Sequence, residues 1–558
     1  MNLVSYIIFY SVSNTILWSI ILLILHGRRG KLFENHPRYV TKNHVDVRRS
    51  ILVFLSLSVI LAWLLLMHLR IGFLPFGQDT VDYTHAWHIL NFKGHWLAEM
   101  SSEPYYKLFH VSAVTTYIVG LLLGFERAGY VVYLIALLLT VILSILLISR
   151  KLLLKHVSKV NIGMLSIITI LLFLATPFLM GSDALQQYVS IVIALVCLTI
   201  IMVSPSNSMS IILYTMTATA SVITHLSSVI LLVLIILSLA ISRRLGRRDA
   251  LTALMTTFSI AISYVVYTYA AYSVIPGVSN VLKSFYNYIS SLVHGTEARG
   301  ISIVAYSELS NSRIWVYSWT LLPSLGLAYI VTYFINGIRR LKGLGIIETL
   351  KLMKKDLIAL TYLLSGIIML GGELTRLTGY NISRYTAVPS YYAMFLASIM
   401  LLYKYFYKIT TLGIRAKRII LTMVLCLFLL GMGLYSGIQD PHRMPWNGEP
   451  RLAPVTYRDR VELMPIAIYA PSCMRIYPWH DAYVPMELTN STIISRGSYY
   501  PIHQLLLKVA RGLPINLARD DKAVTTLFVI PNQLLSSKSC ERYDVVFMGG
   551  EHTALGAP

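Results

Sequence analysis

The chain has 558 residues, of which 56% are hydrophobic and 13% are charged, and its mean hydropathy is +0.66. A soluble domain carries roughly 25% charged residues, so the composition excludes a purely soluble protein and indicates that much of the surface faces lipid. The formal net charge of +22 does not indicate nucleic-acid binding, because most basic residues form short clusters between apolar runs, as in the cytoplasmic loops of membrane proteins.

The apolar runs predict about 12–13 transmembrane helices, since a spanning helix needs roughly 20 mostly apolar residues. The first run lacks the basic start and cleavage site of a signal peptide, so we expect a retained helix. The stretch 209–242 is too long for one span and predicts two helices that meet near Thr224-His225-Leu226. The predicted spans are 3–25, 51–69, 130–149, 162–180, 188–203, 209–223, 226–242, 251–275, 315–337, 357–371, 390–407 and 419–437.

The basic loops set the predicted orientation, because loops rich in Lys and Arg stay in the cytoplasm. We place the basic loops on the cytoplasmic side: 26–50, 150–161, 243–250, 338–356 and 408–418. The remaining loops then lie outside: 70–129, 276–314, 372–389 and the tail. The apolar run 106–124 could also span, but the basic cluster at 150–159 would then lie outside. We therefore expect 106–124 to be a juxtamembrane or re-entrant helix within a first outer loop at 70–129.

The tail, 439–558, is expected to fold as a small extracytoplasmic α/β domain that follows a transmembrane domain over 1–438. Three apolar runs predict buried strands, and one segment predicts a helix. The predicted strands are Ile466–Tyr469, Ala523–Ile530 and Tyr543–Met548, and the predicted helix is Gln504–Gly512. Two cysteines of the tail, Cys473 and Cys540, form an even pair in an outward-facing domain, which makes a disulfide plausible.

The first outer loop contains the most chemically suggestive cluster. Asp79 and Asp82 lie three residues apart, and His85 follows three residues later. In a helix these side chains would share one face and could supply a general base, bind a metal, or do both. The alternative is that Asp79 only caps a helix that begins near Val81.

This loop resembles the GT-C class of membrane glycosyltransferases. The resemblance rests on Gly77-Gln78-Asp79 followed by His85, on Glu103-Pro104-Tyr105-Tyr106, and on Gly124-Phe125-Glu126-Arg127-Ala128. The helix break at His225 and a late outer loop with Arg376 and Arg384 are further similarities. His225 could alternatively do no more than cap backbone groups at the end of a helix pair.

The resemblance implies transfer of a sugar, with inversion, from a polyprenyl-phosphate-linked donor in the membrane lipid to a glycan or protein acceptor on the outer face. It makes Asp79 the catalytic base, with Asp82 as the second choice or a metal ligand. Glu103, His85 and His225 are then substrate-binding residues, and Arg376 and Arg384 hold the donor phosphate. A divalent cation, Mg²⁺ or Mn²⁺, could bind Asp79, Asp82 and Glu103.

Oligosaccharyltransferases of this class carry Trp-Trp-Asp-Tyr-Gly in their soluble domain, whereas the nearest segment here is Met444-Pro445-Trp446-Asn447-Gly448. That difference favours transfer of a single sugar or a short unit over transfer of a whole glycan to asparagine. Two other classes stay open at this point. One is a secondary transporter or flippase of lipid-linked glycans, although the spans contain few mid-helix charges. The other is a non-catalytic membrane scaffold.

Overall fold

The computed structural model describes a helical region and a smaller domain with a sheet. The described residues are 15–16, 19, 111–123, 126–154, 160, 162–175, 186–203, 208–272, 313–340, 353–376, 383–411, 457–469, 474–478, 492–493, 505–506, 508–514, 526–532, 535–548 and 552–556. Contacts divide the chain into two compact units. One unit includes Ala136–Gly181 and Gln186–Arg451, and the second unit includes Trp63–Ile135 as well as Leu452–Pro558.

Ten helices of the described residues precede the smaller domain, and most coincide with predicted spans. They are α1 (Val111–Leu123), α2 (Glu126–Leu153), α3 (Ile162–Ala175), α4 (Gln186–Val203), α5 (Ser208–Thr224), α6 (Ser227–Ile241), α7 (Arg247–Tyr272), α8 (Arg313–Arg340), α9 (Leu357–Arg376) and α10 (Ser383–Thr411). The predicted division of 209–242 into two helices is confirmed, with His225 between α5 and α6.

Three of the described helices contain a segment long and apolar enough to cross a membrane: Ile135–Leu153, Arg247–Tyr267 and Thr386–Phe406. Shorter apolar helices include Ile162–Phe173 and Leu357–Gly372. The predicted helix within 106–124 is present as α1. The predicted spans 3–25, 51–69 and 419–437 lie mostly or wholly outside the described residues, so a total of 12–13 spans stays a prediction.

The helix α10 is the central helix of the bundle. Tyr391 and Tyr403 are fully buried although they lie twelve positions apart on this helix, and burial on all sides is expected of a helix surrounded by others. Phe395 of α10 packs edge-on against Phe173 of α3, with ring centroids 5.9 Å apart. Ser398 of α10 forms a hydrogen bond with the Tyr362 hydroxyl of α9.

Contacts between helices define two ends of the bundle. At one end Ser221, near the end of α5, donates a hydrogen bond to the carbonyl of Ser190, near the start of α4. We call this end, which includes the α5–α6 break, the His225 end. At the other end Asp356, which precedes α9, accepts a hydrogen bond from Tyr329 of α8 and interacts electrostatically with Arg244. We call it the basic end.

The smaller domain contains helices α11 (Tyr457–Tyr469) and α12 (Ser537–Arg542) and a five-stranded mixed sheet. The strands are β1 (Arg475–Pro478), β2 (Thr492–Ile493), β3 (Thr526–Pro531), β4 (Asp544–Met548) and β5 (His552–Gly556), in the spatial order β2-β1-β3-β5-β4. Strand β1 pairs in parallel with β2 and β3, whereas β5 pairs antiparallel with β3 and β4. Buried Ile476, Phe528 and Leu555 belong to one hydrophobic core.

The structure confirms most of the elements predicted in the tail and corrects one. Strands β3 and β4 lie where two strands were predicted, and residues 505–506 and 508–510 are helical within the predicted helix. The predicted strand Ile466–Tyr469 is wrong, because these residues form the last turn of α11. A run of four apolar residues does not distinguish a strand from the buried end of a helix.

The predicted disulfide is not formed in this structure. Cys540 lies in α12 and carries a free, exposed thiol, whereas Cys473 lies outside the described residues. The pairing of Cys473 with Cys540 therefore stays a prediction for an oxidised form. The predicted boundary at 438/439 between the two domains also lies outside the described residues.

Candidate functional site

His225 lies at the break between α5 and α6, with its side chain half-buried. Its Nδ1 atom lies 2.7 Å from the Ser227 hydroxyl oxygen and 3.2 Å from the Ser227 backbone nitrogen. Because a backbone N–H can only donate, Nδ1 is the acceptor of this hydrogen bond. The proton of the neutral ring is therefore on Nε2, which is a hydrogen-bond donor.

The backbone of His225 is held on both sides of the break. Its N–H donates to the Ser221 carbonyl at 3.1 Å. Its carbonyl accepts hydrogen bonds from the Ser228 backbone N–H at 3.3 Å and from the Ser228 hydroxyl at 3.0 Å. These bonds satisfy groups that a helix start leaves without intrahelical partners. His225 therefore caps α6, as one of the two sequence interpretations expected, and the capping fixes the orientation of its ring.

The start of α4 and the second and third turns of α10 contribute further polar and aromatic groups to the His225 end. The Ser190 hydroxyl donates to the Gln187 carbonyl at 2.7 Å while its own carbonyl accepts from Ser221. Tyr188 of α4 packs against Tyr392 of α10 with ring centroids 6.2 Å apart. The buried Ser390 hydroxyl of α10 has no hydrogen-bond partner among the described residues.

The residues that surround His225 were not among the site residues predicted from the sequence. A usable signal was nevertheless present, because the pairs Gln186-Gln187 and Ser227-Ser228 both stand directly before long apolar runs. Polar residues at such a position are typical of helix starts. Two helix starts that face the same side of a bundle bring their polar groups together at one end.

Arg376 and Arg384 belong to helices whose ends lie at the His225 end. Arg376 is the last residue of α9, and α9 begins at the basic end beside Asp356. Arg384 is the second residue of α10, eight positions before Tyr392, which packs against the start of α4. The backbone therefore brings both arginine positions to the same end of the bundle as His225.

The predicted first-loop residues, Asp79, Asp82, His85 and Glu103, lie outside the described residues. Their roles, and those of the two arginines, stay predictions. Within the described part of the chain, no group of three or more His, Cys, Asp or Glu residues could hold a metal ion. The predicted metal ligands Asp79, Asp82 and Glu103 are not in that part.

The His225 end contains both starts and ends of helices, whose partial charges have opposite signs. The helices α4 and α6 begin at this end, whereas α5 and α9 end there. The helix α10 begins nine residues before Tyr392, which packs against the start of α4. A helix start carries a partial positive charge of about half an elementary charge. The first N–H groups of α6 already donate to His225 and Leu226. Helix starts of this kind favour phosphate and other anions. The Nε2–H group of His225 adds one more hydrogen-bond donor to the same end.

No protein-family model matches the chain, and no curated protein matches it. Among solved structures, the chain is similar to the Archaeoglobus fulgidus oligosaccharyltransferase in its apo form, at 11% sequence identity and a TM-score of 0.45, over 87% of this chain and 70% of that one. The archaeal oligosaccharyltransferase AglB from Archaeoglobus fulgidus, in complex with an inhibitory peptide and a dolichol-phosphate, matches at 11% identity and a TM-score of 0.45, over 86% of this chain and 69% of that chain.

A third structure of the Archaeoglobus fulgidus enzyme, a complex with Zn and sulfate, matches at 11% identity and a TM-score of 0.40, over 85% of this chain and 67% of that chain. These structural neighbours are glycosyltransferases of the GT-C class, which is the class that the first-loop motifs resemble.

Proposed function

We propose that this chain is a glycosyltransferase of the cell membrane that moves a sugar from a polyprenyl-phosphate-linked donor to a glycan or protein acceptor. Transfer takes place on the outer face, where the C-terminal domain also lies. The observation that carries the proposal is the His225 end, where an oriented imidazole lies beside the starts of α4 and α6 at one end of an apolar bundle. A site of this kind suits an anionic group attached to a lipid.

The transfer needs one base and a group that holds the leaving phosphate. Asp79 takes the proton of the acceptor hydroxyl or amide as the acceptor attacks the anomeric carbon. The bond from that carbon to the phosphate oxygen breaks, and the lipid phosphate leaves with the electron pair. Asp82 is the second choice for the base. Since a phosphate leaves without protonation, the two carboxyl groups of a glycosidase are not required.

The donor phosphate is held by cationic and hydrogen-bonding groups. Arg376 and Arg384 can each make two parallel hydrogen bonds to phosphate oxygens. The Nε2–H of His225 donates a further hydrogen bond, and its direction is set by the contact of Nδ1 with Ser227. His85 orients the donor from the first outer loop, and Glu103 contacts the substrate there.

A divalent cation fits the donor set of the first outer loop. Asp79, Asp82 and Glu103 offer carboxylate oxygens, the ligand type that Mg²⁺ and Mn²⁺ prefer. Such an ion would neutralise charge that develops on the leaving phosphate. The residues of this chain would still bind the lipid phosphate, orient the sugar and remove the proton of the acceptor.

The first test is sugar transfer in membranes that contain the full chain, from radiolabelled polyprenyl-phosphate sugars. Asp79→Asn keeps the size of the side chain and an oxygen that can cap a helix, but it cannot take a proton as a carboxylate does. We expect a loss of at least about a hundredfold, since a general base contributes roughly 10²–10⁴-fold. Asp249→Asn makes the same chemical change at the basic end and should leave transfer within about twofold.

The possible outcomes separate the remaining interpretations. Transfer that survives Asp79→Asn but is lost in Asp82→Asn or Glu103→Gln would move the base to that residue. If no donor supports transfer while reconstituted protein moves lipid-linked glycans between leaflets, the chain is a flippase. Absence of both activities in well-folded protein would contradict the enzyme and leave the scaffold.

A further inference from the structure

Five exposed basic side chains lie at the basic end of the bundle. Arg243 lies in the α6–α7 turn, Arg247 and Arg248 are the first two residues of α7, and Lys354 and Lys355 come from the segment before α9. We call these five residues the basic face. They form no ion pair with other described residues. Their charge is therefore available to an external anion.

The two segments that make up the basic face are joined through Asp356. Its carboxylate accepts a hydrogen bond from the Tyr329 hydroxyl at 2.7 Å and from the backbone N–H groups of Ile358 and Ala359 at 3.0 and 3.3 Å. The same carboxylate interacts electrostatically with Arg244 of the α6–α7 turn. Partial burial lowers the pKa of Arg244, and the charge of Asp356 acts in the opposite direction. Asp356 thus brings the α6–α7 turn and the start of α9 to the same end.

The turn itself contains an arginine where glycine would be easier to accommodate. Arg243 has a left-handed backbone, with φ of 57°. That conformation costs a residue with a side chain roughly 1–2 kcal/mol, whereas glycine adopts it freely. The turn therefore carries an exposed cation at a position where backbone strain favours glycine.

The neighbouring surface of α7 indicates what the basic face contacts. Leu251, Met255, Phe258, Ile262 and Val266 are all exposed and follow one another at helical spacing, so they form a single apolar stripe. Arg247 and Arg248 lie four and three residues before Leu251, which places them at the end of the same stripe. If the stripe contacts acyl chains, the two guanidinium groups lie at the depth of lipid phosphates.

We propose that the basic face is a binding site for the phosphate of anionic glycerophospholipid headgroups. Its charge matches an anionic lipid, and its continuity with the apolar stripe favours a lipid over a soluble polyanion. The proposal uses the membrane location but not the transfer activity, so either can fail without the other. The site lies at the opposite end of the bundle from His225 and is distinct from the site proposed for the sugar donor.

The test is mass spectrometry of the intact full chain released from detergent micelles after titration with dioleoyl-phosphatidylglycerol or dioleoyl-phosphatidylcholine. We expect the wild type to bind phosphatidylglycerol at least about tenfold more tightly, because each basic residue near an anionic lipid surface is worth roughly fivefold. The variant with Arg247→Gln, Arg248→Gln, Lys354→Gln and Lys355→Gln should lose this preference.

The matched control is Lys508→Gln with Arg511→Gln, two exposed cations of the smaller domain. It should keep the preference within about twofold. Gel filtration and melting temperature establish that each variant is folded. If the variant with four substitutions is not folded, the double variant Lys354→Gln with Lys355→Gln takes its place. Equal binding of the two lipids by the wild type would overturn the proposal. The proposal would also be overturned if inorganic phosphate displaces more phosphatidylglycerol than chloride does at equal ionic strength, because the site would then bind free phosphate.

Discussion

The ring of His225 links a structural role to a proposed chemical role. Nδ1 accepts the Ser227 backbone N–H and so caps α6. The same bond leaves the ring proton on Nε2, where the proposed function needs a donor for a phosphate oxygen. The two roles use different nitrogens of one ring and can be separated by substitution.

Replacing His225 tests both roles. His225→Ala removes the cap and the donor, so we expect a stability loss of about 1 kcal/mol together with weaker binding of the lipid-phosphate donor. His225→Asn keeps an oxygen that can cap the helix start but shortens the side chain. It should regain most of the stability without regaining donor affinity, as measured by melting temperature and by KM for transfer. An Asn variant with wild-type KM would remove Nε2 from the proposed site.

Tyr543 offers a test of the smaller domain that depends on pH. Its hydroxyl donates a hydrogen bond to the Leu513 carbonyl at 2.5 Å, and burial raises the pKa of the hydroxyl although neighbouring Arg542 opposes the shift. The unfolded chain therefore releases this proton first, at about pH 10. Stability is fully present below that pH and falls as pH rises towards the pKa of the folded state.

Tyr543→Phe should lower the domain's free energy of unfolding by about 1 kcal/mol at pH 7. The difference from wild type should shrink above pH 10, because phenylalanine has no proton to release. Pulse proteolysis of the full chain in detergent, followed through peptides from 526–556, measures this stability. Tyr469→Phe, at an exposed position of α11, should have little effect at pH 7. A difference that grows above pH 10 would contradict the expected sign.

Among the elements, α8, α9 and α10 interlock at Gly326. A Cβ atom at this position would lie 2.2 Å from the Tyr362 ring, and the Tyr362 hydroxyl is bonded to Ser398 of α10. Gly326→Ala should therefore destabilise the bundle by about 1–3 kcal/mol. Gly366→Ala, in α9, is the matched control because nothing lies within 4 Å of its added Cβ. Melting temperatures in detergent should fall only for Gly326→Ala, and equal values for both variants would refute the close packing.

The elements that the sequence predicts best are those with a long apolar pattern. The division of 209–242 at His225 could be predicted because 34 residues exceed one span and polar residues interrupt the run. Short elements were harder, since Arg475–Pro478 contains both an arginine and a proline and does not resemble a buried strand. The apolar residues at the end of α11 have the length and composition of a strand, and the polar first half of the helix, from Tyr457, does not show that they continue a helix.

At the scale of the whole molecule, the sequence predicts a helical region and a small α/β domain but not how the parts meet. The hydrogen bond of Ser221 with Ser190 and the ring contact of Tyr188 with Tyr392 depend on which helices are neighbours. Local patterns do not contain that information. Within the candidate site, the position of His225 at a helix break is predictable from the sequence. Its serine and tyrosine neighbours are not, because they are brought to it by the packing of three helices.

The position of β5 inside the sheet has a consequence for the order of folding. Residues 552–556 lie between β3 and β4 and supply hydrogen bonds to both. Until these residues have left the ribosome, β3 and β4 have no strand to join them, and two apolar strand edges stay open to other chains. The smaller domain therefore cannot complete its sheet before residues 552–556 are made, and β3 and β4 are exposed to wrong pairing during that interval.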